Sequence, residues 1–210
     1  MKKINIITPF SRDQNLSELL LFIQKHLKNI RWIPVCVPSK KVQFDTIIDT
    51  LYLRESVYPY YIEEVPNVDI CYYKINKALD ATNFNHTSDD YYTVMMDDDL
   101  YENNVFEEIV KHEEDVVFIS MKRGDQIPDD GQWGHGTSTL NASPSDIRAC
   151  NTGCPQVFVK GSIMQNERFA SNNSGADGIF AETIKNKYNC AYRPDLYALF
   201  NYLQPGRYNK

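Results

Sequence analysis

The chain has 210 residues and a formal net charge of −6, a length that suits one α/β domain with a full core and leaves little room for a second. With 42% hydrophobic and 24% charged residues it has a globular, soluble composition, and its acidic balance is poor footing for gripping bare nucleic acid by counterion release. The opening MKKINIITPF carries two lysines but only a very short apolar stretch, so no signal peptide or membrane span is read there. A cytoplasmic protein is expected, with peripheral membrane contact left open. The five cysteines read as buried reduced thiols; Cys150 and Cys154 lack the matching Cys/His pair that a zinc site needs.

The β-branched run INIITPF, closed by Pro9, predicts a buried strand. Leu16, Leu19, Leu20, Ile23 and Leu27 then fall at helical spacing, with Asn15 three before Glu18 as a capping box. WIPVCVPS is a second strand, and strand–helix–strand implies a parallel pair. QFDTIIDTLYL fits strand or helix, and YPYYIEEV an exposed strand or loop. DICYYKINKALDATN predicts a helix with Ile75, Ala78 and Leu79 inward and Asp69 as a cap. YYTVMM is a strand, NNVFEEIVKHEE a helix capped near Asn103 or Asn104, and DVVFISM another strand. From Lys122 to Cys154 the periodicity stops, in a long Gly-, Pro- and Asp-rich stretch of the kind that forms lids and binding loops. PQVFVKGSIM reads as a strand, and SGADGIFAETIKNKY as a helix with Ile179, Phe180, Thr183 and Ile184 on one side. The end is a strand plus an aromatic tail.

Asp97, Asp98 and Asp99 follow the strand YYTVMM directly. Such acids either meet water as the chain leaves the core or hold a cation at the mouth of the sheet. Ligands bind beyond the carboxyl ends of strands in open parallel sheets. Carboxylates spaced by one residue are costly to hold together without a cation. A hard divalent ion such as Mg²⁺ supplies one and also takes phosphate oxygens.

The order of elements, with IITPFSR at the first strand and VMMDDDLYENNVFEEIV in the middle, resembles the nucleotide-sugar glycosyltransferases of GT-A type, family-2-like, over roughly residues 3 to 200. NTGCPQVFVKG and SGADGIFAETIK resemble their acceptor-side strand and catalytic helix. The resemblance implies an α/β, GT-A (Rossmann-like) mixed, mainly parallel sheet flanked by helices, with a long acceptor-side loop. It implies one domain, 1–210, with a nucleotide-binding half to about residue 100 and an acceptor-binding half beyond. Thr8, Pro9, Phe10 and Arg12 would hold the nucleoside and a phosphate. Lys74 or Asn76 would reach the diphosphate or sugar. Asp97 would contact ribose or sugar hydroxyls and share the metal with Asp99, while Asp98, on the cofactor side, would brace the turn or face away. The cofactors implied are Mn²⁺ or Mg²⁺ and a nucleotide-sugar, a UDP-sugar by default. Asp177, at a helix N-cap, would be the base of an inverting reaction. Inverting members usually end an acidic pair there, whereas this chain has Gly175-Ala176-Asp177, which puts the stereochemistry in doubt. Many relatives add a C-terminal histidine to the metal; none follows His135 here, leaving His135, Asn201 or Tyr202. Trp133 and His135 would face the acceptor, and Arg207 and Lys210 in the tail could fold over the diphosphate.

The acceptor implied is a glycan, a lipid, a protein or a hydroxymethylated DNA base, the last suiting a phage-encoded enzyme in its host's cytoplasm. Two alternatives stand beside it. A sugar-nucleotide pyrophosphorylase would want a glycine-rich loop after the first strand, and TPFSRDQN has no glycine. The other is a non-catalytic nucleotide-sugar-binding protein.

Overall fold

The structure, a computed structural model, describes residues 2–63, 70–81, 89–123, 139–149, 151–170 and 175–203. β1 (Ile4–Pro9) is buried along its length. A 3₁₀ turn, Asp13–Asn15, runs straight into α1 (Leu16–His26), which buries Leu16, Leu19 and Ile23 as their spacing predicts. The expected capping box is absent: Asn15 is already in helical conformation and caps nothing. Its amide instead donates to the Asp97 carbonyl at 2.9 Å.

β2 (Ile30–Cys36) pairs parallel with β1. The ambiguous segment after it is a helix, α2 (Lys41–Thr50), because Phe44 and Ile48, four apart, both reach the core. β3 (Tyr60–Tyr61) is a short edge piece. α3 (Ile70–Asp80) buries Ile75, Ala78 and Leu79; Asp69 lies outside the described residues. β4 (Tyr91–Val94) pairs parallel with the far side of β1. β5 (Leu100–Tyr101) was not legible in the sequence, and α4 (Val105–Ile109) is shorter than expected and has no side-chain cap. β6 (Val116–Arg123) accepts β7 (Thr139–Leu140) from the long loop. β8 (Val157–Lys160) stops where α5 (Gly161–Met164) turns away, so the expected strand through Met164 is half helix. α6 (Ala176–Lys187) buries Ala176, Phe180, Ala181 and Ile184. Ile179 and Thr183, expected on one side with Phe180 and Ile184, are exposed while those two are buried. β9 (Cys190–Phe200) is the last strand of the described chain.

Nine strands among the described residues form one mixed sheet in the order β3-β2-β1-β4-β8-β6-β9-β5, with β7 on β6. The longest pairings, β1 with β2 and β6 with β9, are parallel; β8 runs antiparallel to both neighbours. One core cluster packs α1, α2 and α4 on one face, and another packs α3, α5 and α6 on the other. Alternation along β1 divides Ile4, Ile6 and Phe10 from Ile7. No described helix is long and apolar enough to cross a membrane.

His26 sits against Phe22 and Phe106, with ring centroids at 4.8 and 5.1 Å. Neither ring nitrogen has a hydrogen-bond partner among the described residues. Burial, above all, pushes its pKa below 6.5, so the unfolded chain takes up a proton that the folded one refuses. The group's neutral-pH stability is therefore lost as pH falls below about 6.5. His26→Leu is expected to remove that loss and to raise stability at pH 5 by about 1 kcal/mol. Urea unfolding at pH 5 and 8 checks this, and equal pH dependence in the two proteins would refute it.

Candidate functional site

From β1 the chain moves outward to β2 and later returns to the other flank of β1 as β4, with Ile7 beside Val94. This reversal of strand order opens a crevice beyond the carboxyl ends of the two strands. The loop after β1 and the Asp97–Asp99 turn after β4 meet there.

Asp97 ties them together. Its Oδ2 accepts from the Ser11 N–H (2.7 Å), the Ser11 hydroxyl (3.0 Å) and the Arg12 N–H (2.8 Å). Its Oδ1 pairs with the Arg12 guanidinium. That guanidinium also stands 3.1 Å from Asp98 Oδ2. Asp99 is fully buried. Its Oδ1 accepts the Asn201 N–H at 2.7 Å, and Oδ2 has no partner among the described residues. Burial, then the neighbouring Asp98 charge, pushes its carboxyl up to about 8. Asn201 presents its N–H from a left-handed turn (φ 54°) just past β9, and the Leu203 N–H donates to the Asp98 carbonyl at 2.9 Å.

The crevice holds a cavity of about 460 Å³, lined by Pro9, Arg12, Lys74, Asp97, Asp98 and Asn201 among others. Cations and carboxylates thus share one space, and Lys74 is nearly buried there, 6% exposed. Asp98, expected to brace the turn or face away, lines the cavity, whereas the fully buried Asp99 is not among its lining residues.

Three other expected nucleotide contacts are core or scaffold residues. Thr8 accepts from the Trp32 indole at 3.0 Å, and Phe10 packs edge-on against Phe44 at 5.2 Å. Both stand on the same side of β1 as Ile4 and Ile6, so strand alternation carries them away from the cavity. Asn76 is two residues from Lys74 on α3 and cannot share its face. Its amide bonds the Phe169 backbone at both ends, at 2.8 and 3.1 Å.

Asp177 is in the first turn of α6, but Gly175 holds the N-cap position. Its Oδ1 accepts the Gly178 N–H at 2.9 Å, it bonds Tyr72, and burial raises its pKa. It lines a small inner cavity with Cys154 and Phe180 rather than the one at the β1/β4 crevice. Tyr202 lines a separate cavity beside Phe22 and Leu100. Trp133, His135, Arg207 and Lys210 lie outside the described residues, as does Cys150. Cys36, Cys154 and Cys190 are free thiols. Asn15 through its side-chain amide, Ser11 through its N–H and hydroxyl, and Asn201 through its backbone N–H support the acidic turn; the sequence pointed to Asn201 only as a candidate at the metal and to Asn15 only as a cap.

Among the described residues, no three His, Cys, Asp or Glu side chains are grouped to hold a metal. The unpartnered Asp99 oxygen beside Asp98 nonetheless fits a hard divalent cation that completes its shell with water or phosphate. Without a cation, Asp99 weakens the fold as pH rises. Folded, it keeps a proton up to about 8, while its ordinary value is 3.8. Its contribution is therefore most favourable at low pH and declines as pH rises towards 8. Asp99→Asn is expected to be more stable than wild type at pH 8 in EDTA, by on the order of 1–3 kcal/mol. Parallel stability–pH curves from pH 5 to 9 would overturn this.

No protein-family model and no curated protein matches the chain. Solved structures do. A mannosyltransferase from Pyrobaculum calidifontis, in complex with GDP-Man and Mn²⁺, aligns at a TM-score of 0.62 and 11% identity, over 98% of this chain and 58% of its own. A 4-diphosphocytidyl-2C-methyl-D-erythritol synthase from Anaerococcus prevotii DSM 20548 aligns at 0.54 and 11%, over 97% of this chain and 90% of its own. The chain thus spans less than two thirds of the mannosyltransferase. At this identity the likeness establishes the fold: a GT-A-like α/β sheet flanked by helices, shared with enzymes.

Proposed function

We propose that the protein moves a sugar from a nucleotide-sugar donor to an acceptor hydroxyl. The observation that carries this reading is the cavity at the β1/β4 reversal, where Arg12 and Lys74 face the acidic turn. About 460 Å³ is within the ordinary range for a small-molecule site. Pro9 offers an apolar wall to the nucleoside. Lys74 and Arg12 bring positive charge to the diphosphate. Asp98 and Asp99, with Asp97 through Oδ1, are the oxygens that would hold Mn²⁺ or Mg²⁺. Such an ion, when bound, stabilises the departing nucleoside diphosphate as a Lewis acid. Asp177 accepts the acceptor's proton. Its raised pKa moves a carboxylate toward neutrality, where a general base works best. Trp133 and His135 remain the acceptor-side candidates, with a glycan, lipid, protein or modified DNA base as the acceptor.

Nucleotidyl transfer is the second reading, favoured by how fully the chain spans the synthase, 90% of its length. Pyrophosphate release from a nucleoside triphosphate plus a sugar phosphate would select it. The primary test is calorimetry with UDP, GDP, CDP and ADP, with and without Mn²⁺. One diphosphate is expected to bind, more tightly with the ion; no binding of any would end the transferase reading.

A further inference from the structure

Resting on that reading of the site, we infer that Arg12 is a displaceable internal cation, exchanged for the divalent ion when the donor enters. Asp97 and Asp98 each have only 3% of their side chains exposed. Two such carboxylates side by side need a compensating charge. The Arg12 guanidinium supplies such a charge, pairing with Oδ1 of Asp97 and Oδ2 of Asp98.

The three bonds on Asp97 Oδ2 belong to the scaffold and leave that oxygen saturated. Asp97, Asp98 and Arg12 all line the cavity, and the oxygens that Arg12 pairs with are Oδ1 of Asp97 and Oδ2 of Asp98, so a metal ion entering there and Arg12 compete for the same donors. Arg12 is placed to leave. Its side chain is 40% exposed, and it comes from the loop after β1, so its release unpacks no core. A planar guanidinium freed from carboxylates pairs equally well with phosphate oxygens.

The donor's diphosphate therefore resolves the competition: it receives Arg12 while the ion takes the carboxylates. Metal and nucleotide then bind with positive coupling, each tightening the other by the same factor. The metal alone binds weakly, because it must expel Arg12 with no anion to receive it.

The test is calorimetric titration of Mn²⁺ alone, and of Mn²⁺ with saturating UDP or GDP, into wild type, Arg12→Ala and Arg12→Lys. Mn²⁺ alone is expected to bind Arg12→Ala about tenfold tighter than wild type, with the nucleotide coupling largely lost. The shorter Arg12→Lys ammonium cannot span both carboxylates, so Mn²⁺ alone binds this variant more tightly than wild type as well; it carries the test if circular dichroism shows the alanine variant unfolded. Equal Mn²⁺ affinity in wild type and the folded variants overturns the inference, as does coupling that survives the loss of Arg12. Nucleotide binding alongside either result leaves the transferase reading standing. Tighter Mn²⁺ binding in the variants, with no nucleotide bound by any protein, keeps the exchange at the carboxylates and removes the transferase reading.

Discussion

Asp177→Asn is expected to lower sugar transfer by about 10²–10⁴-fold while leaving nucleotide affinity unchanged. The substitution keeps an oxygen for the Gly178 N–H and nearly the same volume, so the first turn of α6 is preserved. It removes the capacity to accept a proton. Asp177 lies apart from the residues lining the β1/β4 cavity, so donor binding is the control that separates a chemical from a folding defect. Single-turnover transfer together with calorimetry measures both. A rate within about threefold of wild type would make Asp177 a buried scaffold acid for Tyr72 and Gly178, and would favour a mechanism without a base there.

Asp97→Ala is expected to cost about 3 kcal/mol or more of stability and to abolish nucleotide binding. It strips the acceptor from two backbone N–H groups, from the Ser11 hydroxyl and from the Arg12 guanidinium at once. These contacts fix the loop after β1 against the turn after β4, and that junction is the cavity wall. Asp97→Asn should fall between, since its oxygen can serve the two N–H groups but not the guanidinium charge. Urea unfolding decides: a cost below about 1 kcal/mol would describe a solvated turn, contrary to the buried one seen here.

The strand–helix–strand opening, the inward face of α3 and the location of the acidic turn were legible because each rests on local periodicity or on a strand's end. Roles of individual side chains were less so. Thr8 lies in β1 and Phe10 just beyond it, and strand alternation turns both into the core, while Asn76 is off the Lys74 face by helical phase. Asn15 shows the limit of capping patterns: the preceding 3₁₀ turn takes over the helix start, and its amide serves Asp97 instead. The sequence offered Asn201 only as a candidate at the metal; that its backbone N–H, 102 residues on, is the partner of Asp99 is not written in any local pattern. Neither is the Arg12 pairing, which depends on how two distant loops meet.

The hydrogen bond from Asn201 to Asp99 also has a bearing on how the chain acquires its site. Residues 11–12, 97–99 and 201–203 must all be in place before the acidic turn is fully supported, so the site depends on contacts of very high sequence separation. Such contacts form late, because loop closure must be offset before they stabilise anything. Strands β1, β2 and β4 can pair while the crevice is still open on the β9 side. Ligand binding would then report completion of folding, and protection of the Asn201 amide from hydrogen exchange should appear after that of β1 during refolding.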